Sequence, residues 1–228
     1  MDQIVVQILV LVFSIVVHEV AHGWAAWRLG DPTARDAGRL TLNPLPHIDP
    51  LGSVVLPVVL ALAGGVVLGW AKPVPVHPGR LRNPRDDHAR VAAAGPLSNL
   101  LLALISAVGL GATFAIGGVP DWSGGTAADG GALQLFLVTL FRAGIVVNVV
   151  LACFNLLPLP PLDGSWILQR FLPPEAGIRY HELRRYGLLL VLGFLILARY
   201  TALGGLVHAG LVAVVHPFFA LAMRIAAV

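Results

Sequence analysis

The strongest chemical signal in this sequence is the run His18-Glu19-Val20-Ala21-His22. It is an H-E-x-x-H pattern inside an apolar stretch whose spacing predicts a helix. The i, i+4 separation puts both imidazoles on one helix face, a turn apart, where they can grip a single zinc ion. Glu19 is offset from that face. It is free to take a proton from the attacking water and pass it to a leaving amine. The competing reading is a chance match. Three ionisable side chains in a membrane span are costly, however, and that cost argues for function.

Two histidines leave zinc short of a protein ligand, because hydrolytic sites ordinarily supply three. Asp163 is the best candidate. It closes the stretch Asn155-Leu156-Leu157-Pro158-Leu159-Pro160-Pro161-Leu162-Asp163-Gly164. Its prolines unwind the backbone, and non-helical backbone at membrane depth is tolerated where it lines a protein cavity. Alone, Pro-Pro-Leu-Asp-Gly reads equally well as a turn at the membrane surface.

These residues need a scaffold, and the composition says which solvent it faces. Of 228 residues, 57% are hydrophobic and 12% charged, and the mean hydropathy is +0.83. Soluble domains carry about a quarter charged residues. The surplus apolar surface points to a lipid bilayer. The net charge of +3 comes from basic residues in discrete loops, a pattern suited to lipid headgroups and not to nucleic acid. The lone cysteine, Cys153, excludes an intrachain disulfide.

Along the chain, residues 4–27 form an apolar span with no basic leader and no cleavage site, so they predict a retained membrane helix. Residues 51–70 are apolar but broken by Pro57 and Gly64-Gly65. Residues 72–90 are basic and proline-rich and predict a loop with extended pieces. Residues 96–116 and 132–157 are further clear spans, separated by a Gly-rich acidic loop. A short helix is expected at 165–171 and a closing helical hairpin at 186–228, turning near Gly204-Gly205. The expected fold is an all-α polytopic membrane protein of about five to six hydrophobic segments. It has a re-entrant segment at 51–70 and short β strands near 39–42 and 72–77. It forms a single membrane domain over 1–228, with a core at 1–172.

With these motifs in view, the chain resembles the site-2 proteases, the intramembrane zinc metalloproteases of peptidase family M50. The resemblance rests on His18 to His22, on Ala94-Gly95-Pro96-Leu97-Ser98-Asn99 and on Asn155 through Gly164, in that order. It implies one zinc per chain, held by His18, His22 and Asp163, with Glu19 as catalytic base. It implies that Asn155 and Asn99 lie near the substrate backbone. Asn148, seven residues before Asn155 on the same helix face, is a candidate support. The competing reading for all three asparagines is interhelical hydrogen bonding. The implied substrate is a transmembrane protein or peptide, with the bilayer as the other partner and no nucleic acid. The resemblance is to a minimal bacterial or archaeal member without PDZ or CBS modules.

The ligand set also constrains topology. His22 and Asp163 both lie at the C-terminal ends of their spans, so one metal joins them only if residues 4–27 and 132–157 run parallel. That requires 51–70 to enter and leave on one face. The basic loops then share one side, which the positive-inside rule makes cytoplasmic. A metal or proton transporter is the alternative function. It requires no Glu19 beside the histidines and expects paired broken helices. A proteolytically dead membrane adaptor is a third reading, opposed by the intact ligand set.

The remaining candidates are weaker. His47 and Asp49 read as a gate or as a polar loop end, and His77 and His88 as solvated loop residues. His208 and His216 read as a second metal site or as interface anchors. Trp24, Trp27, Trp70 and Trp122 suit an aromatic belt. Arg142, within a span, is expected to snorkel or pair.

Overall fold

The computed structural model describes residues 3–55, 71–119 and 131–227, and every regular element among them is helical. The α-helices are α1 (Gln3–Arg28), α2 (Thr33–Asp36), α3 (Pro84–Gly117), α4 (Ala132–Asn155), α5 (Asp163–Phe171), α6 (Pro174–Glu182), α7 (Gly187–Tyr200) and α8 (Leu203–Ala226), with short 3-10 or π turns at Leu45–His47, Pro50–Val55, Pro78–Arg80 and Leu183–Tyr186.

Local chemistry sets the boundaries. α1 is an unbroken apolar run that ends in Arg28, a cation suited to the negative end of the helix dipole. Gly30 follows at φ 113°, a backbone conformation that costs other residues strain. α3 starts at Pro84, whose missing N–H is one the first turn does not need. Asp86 and Asp87 lie in that first turn, and Asp87 accepts the Asn83 N–H at 2.8 Å.

Contacts between helices fix their directions. His22 meets Val91, and His18 meets Asn99, so α1 and α3 are antiparallel. Asn99 meets Asn148 and Gly109 abuts the Phe141 ring, so α3 and α4 are antiparallel too. α1 and α4 therefore run parallel, as closure of the ligand set requires. Val6 and Val10 of α1 pack with Phe136, Leu140 and Ala143 near the start of α4. A second cluster joins Leu110 and Phe114 of α3 to Val138 and Ile145 of α4 and Ala222 of α8.

The bundle has an apolar outside and polar groups within. On α1, Leu9 is 59% exposed and Phe13 is 50%, whereas Ser14 is 1%. Water would not tolerate so large an apolar surface, but lipid does. Four helices, α1, α3, α4 and α8, are long and apolar enough to cross a membrane.

This corrects the expected fold in two respects. Among the described residues four helices qualify as spans, not five to six segments. α7 has 14 residues, and its length of roughly 21 Å is short of a core of about 30 Å. α7 and α8 meet at Thr201-Ala202, before Gly204-Gly205. The second correction concerns the strands: residues 39–42 and 72–77 form none. In place of a partner strand, the extended stretch 71–77 gives its N–H groups to other acceptors. Lys72 donates to His47 O, Val74 to Glu19 and His77 to Asp31. The re-entrant path expected for 51–70 falls mainly on 56–70, outside the described residues, as do Trp70 and Trp122.

Candidate metal centre

Three elements bring His18, His22 and Asp163 together. α1 supplies the histidines one turn apart. The Pro158–Leu162 turn returns the chain from the end of α4, and Asp163 opens α5. Gly164 makes this return possible, since a Cβ there would overlap the Leu156 carbonyl group. The two Nε2 atoms are 3.0 Å apart, and Asp163 Oδ2 is 3.1 Å from His18 Nε2 and 3.3 Å from His22 Nε2.

Hydrogen bonds behind the rings define the tautomers. His22 Nδ1 donates to Val91 O at 2.7 Å, and a carbonyl only accepts. His18 Nδ1 meets Asn99 Oδ1 at 2.6 Å. The Asn99 orientation is set by its own donor, which reaches Asn148 Oδ1 at 2.9 Å and Ser14 O at 3.4 Å. Asn148 Nδ2 in turn donates to Gly144 O at 2.9 Å. Both Nδ1 atoms are thus engaged, and the two Nε2 atoms face each other and the carboxylate.

These three atoms converge closely enough to hold one metal ion. Asp163 Oδ2 is buried and has no hydrogen-bond partner among the described residues. Two imidazole nitrogens and one carboxylate oxygen, each ring braced through its other nitrogen, are the donor set of a hydrolytic zinc site. The residues therefore fit the metal. Gly95 of α3 gives them room, because a Cβ there would lie 2.5 Å from His22 Nε2 and 2.6 Å from His18 Nε2.

A cavity of about 400 Å³ opens beside these atoms, lined by Glu19, Val74, His88, Asn155, Asp163 and Arg184 among others. Glu19 Oε2 accepts the Val74 N–H at 2.8 Å. Gly23, one turn after Glu19, lets stretch 71–77 press onto α1, since a Cβ there would be 2.9 Å from Val74 Cγ1. Asn155 donates Nδ2 to Leu151 O at 3.0 Å, which leaves its Oδ1 available.

The chain matches the family model described as Peptidase family M50 over residues 6–119 and 118–198. It belongs to peptidase family M50. It is 37% identical over 185 residues to "Putative zinc metalloprotease YwhC" of Bacillus subtilis (strain 168), covering 81% of this chain and 77% of that protein. It is 34% identical over 188 residues to "Putative zinc metalloprotease Rip2" of Mycolicibacterium smegmatis, covering 80% of this chain and 63% of that one. Rip2 of Mycobacterium tuberculosis (strain H37Rv) is 31% identical, with 78% and 62% covered. No solved structure matches the chain. Family membership and the four apolar helices make this M50 peptidase an integral membrane protein.

Other expected residues fall elsewhere in this peptidase. Asn99 and Asn148 are buried, at 0% and 2% exposure, and stand behind His18. His47 is buried in its loop, bonded to Thr41 O. Asp49 accepts the Leu51 and Gly52 N–H groups. The His77 N–H is bound by Asp31, while His208 and His216 are exposed on α8. Arg142 lines a groove with Gln3 and Gln7. His88 is not a solvated loop residue: α3 begins before it, and its ring packs 3.9 Å from that of Trp166 beside the metal cavity. Neither the clearance that Gly95 gives the histidines nor the place of Arg184 in the cavity wall is among the sequence expectations. Gly95 lay inside a recognised motif, whereas Arg184 left no local signal.

Proposed function

We propose that the protein is a zinc-dependent intramembrane endopeptidase. It hydrolyses peptide bonds within or near transmembrane segments of membrane-anchored substrates. The observation that carries this reading is the convergence of His18 Nε2, His22 Nε2 and Asp163 Oδ2 beside Glu19, in a bundle whose outer face is apolar. The relatives' names add zinc metalloprotease chemistry.

In this reading His18, His22 and Asp163 hold zinc, which when bound supplies Lewis acidity toward water and the scissile carbonyl. Glu19 takes the proton of the attacking water on its carboxylate and returns it to the departing amine. The Val74 N–H holds that carboxylate at the cavity wall. Asn155 offers its carbonyl oxygen to a substrate N–H, while Asn99 and Asn148 act at a distance by fixing the His18 ring. A helical substrate hides its carbonyls in its own hydrogen bonds, so it must unwind before it is cut.

Purified protein in lipid vesicles is expected to cleave a transmembrane substrate, to stop on zinc chelation and to recover on zinc addition. Glu19→Gln should bind zinc as the wild type does and lose roughly 100- to 10,000-fold in cleavage. Undiminished cleavage would remove Glu19 from the role. Zinc uptake into sealed vesicles without any proteolysis would favour the transporter alternative.

A further inference from the structure

Arg184 is a cation in the wall of the metal cavity, and the hydrolysis just described gives it no task. It belongs to the short turn Leu183–Tyr186 that links α6 to α7. Its guanidinium is held in two ways. Its Cζ lies 3.3 Å from the centre of the Trp166 ring, and its Nη2 donates to Ser165 Oγ at 2.8 Å. Ser165 is 1% exposed and is anchored by its own bond to Leu162 O at 2.6 Å. Stacking on Trp and donation to a buried hydroxyl give an arginine a fixed direction and leave its remaining donors for another acceptor.

Among the described residues no carboxylate forms an ion pair with Arg184. Burial pulls it down to about 10, against the opposing effects of Tyr180 and Asp163, so it stays cationic at neutral pH. A partly buried cation without an ion-pair partner, in the lining of this cavity, selects for an anion there. Asp163 lines the same cavity and acts on Arg184 through its charge, but does not pair with it.

We propose that Arg184 is a specificity residue that recognises a carboxylate of the substrate, from an acidic side chain near the cut or from a free C-terminus. The proposal rests on the endopeptidase reading and narrows its substrate class. A charge-assisted bond to a carboxylate instead of an amide corresponds to a preference of roughly ten- to a hundredfold.

The test measures binding, not turnover. Zinc-loaded Glu19→Gln protein in phosphatidylcholine vesicles is titrated with neutral transmembrane peptides in which one Glu is moved along the segment. Gln counterparts and C-terminally amidated forms are titrated beside them. At one or two positions the Glu peptide is expected to bind ten- to a hundredfold more tightly than its Gln counterpart. Loss of affinity on amidation alone would assign the carboxylate to the C-terminus. Arg184→Gln in the same background should bring the ratio to about one, and Arg184→Lys should keep part of it. An unchanged ratio in Arg184→Gln, or loss of its zinc, would overturn the proposal. So would an effect that appears only with phosphatidylglycerol and regardless of peptide charge, because the ligand would then be a headgroup phosphate. If no peptide binds at any position, the endopeptidase reading falls as well.

Discussion

At the scale of residues, the site depends on atoms buried behind the candidate ligands. His18 and His22 can present lone pairs to a metal only while their Nδ1 protons are held elsewhere, by Asn99 and by the Val91 carbonyl. Replacing Asn99 with Leu leaves the His18 ring without its brace, and such outer partners typically govern metal affinity by roughly 10- to 100-fold. Zinc titration of Asn99→Leu should show a loss of that order, and unaltered affinity would reduce Asn99 to a packing role. Gly95→Ala makes a harsher demand. Its methyl group would fall 2.5 Å from His22 Nε2, so zinc should be lost while helix content is kept or raised. Metal analysis together with circular dichroism checks both halves. The four central residues were legible because i, i+4 spacing and a Pro-broken return are written locally. Asn99 stands in a motif that allows two readings, a place near substrate or interhelical hydrogen bonding, and its bonds to His18, Ser14 and Asn148 are interhelical. Whether an asparagine meets substrate or a histidine depends on which way α3 crosses α1.

At the scale of elements, the stretch 71–77 shows how a correct local pattern can be assigned the wrong structure. Val74 and Val76 alternate with polar and proline residues, which reads as a strand. The stretch is extended, yet its donors go to Glu19, Asp31 and the His47 carbonyl, and α1 takes the place of a neighbouring strand. Pro84 misled in the other direction. In a segment rich in proline it reads as loop, but at the first turn of α3 it begins a helix and carries His88 to the cavity. Burial works against ionisation of Asp31, but the Thr33 hydroxyl and the His77 and Thr33 N–H groups bond its carboxylate and Arg80 adds its charge. Together they hold it below the usual range. It is a stable anchor for the stretch at neutral pH. The stretch lies on α1 because residue 23 is glycine. Gly23→Leu would drive it off, with Val74 Cγ1 and Leu40 Cδ2 both inside 3.0 Å of the new Cβ. The Val74 N–H would then leave Glu19. A hydrogen bond to a charged group is worth roughly 1.5–3 kcal/mol, so cleavage should fall about ten- to a hundredfold with zinc retained. Faster hydrogen exchange at the Val74 amide should accompany the loss. Full activity with fast exchange would show that the contact does not serve catalysis.

At the scale of the whole molecule, the helix directions decide which segments share an end of the bundle. α1 and α4 run parallel and α3 antiparallel to both, so one end of the bundle gathers the C-termini of α1 and α4 and the N-terminus of α3. Arg28, which ends α1, and Pro84, which begins α3, therefore lie at this same end. So do the basic stretches: Arg28 to Arg39, Lys72 to Arg90 and Arg170 to Arg185. Val119, just past the end of α3, marks the opposite end. Because short basic loops favour the cytoplasm, the cavity should open nearer that side, with the N-terminus of α1 outside. The chain offers a direct check because Cys153 is its only cysteine. In a Cys153→Ala background, Arg82→Cys, Arg179→Cys and Val119→Cys each place one thiol at a position that is exposed in the wild type. A membrane-impermeant maleimide added to intact cells should label Val119→Cys at once, and the other two only after the membrane is opened. Retained zinc in each variant would show that the bundle has not rearranged. Labelling of Arg82→Cys and Val119→Cys from the same face would contradict the helix directions themselves. The reverse pattern, with the arginine positions outside, would keep the bundle and place its active end away from the cytoplasm.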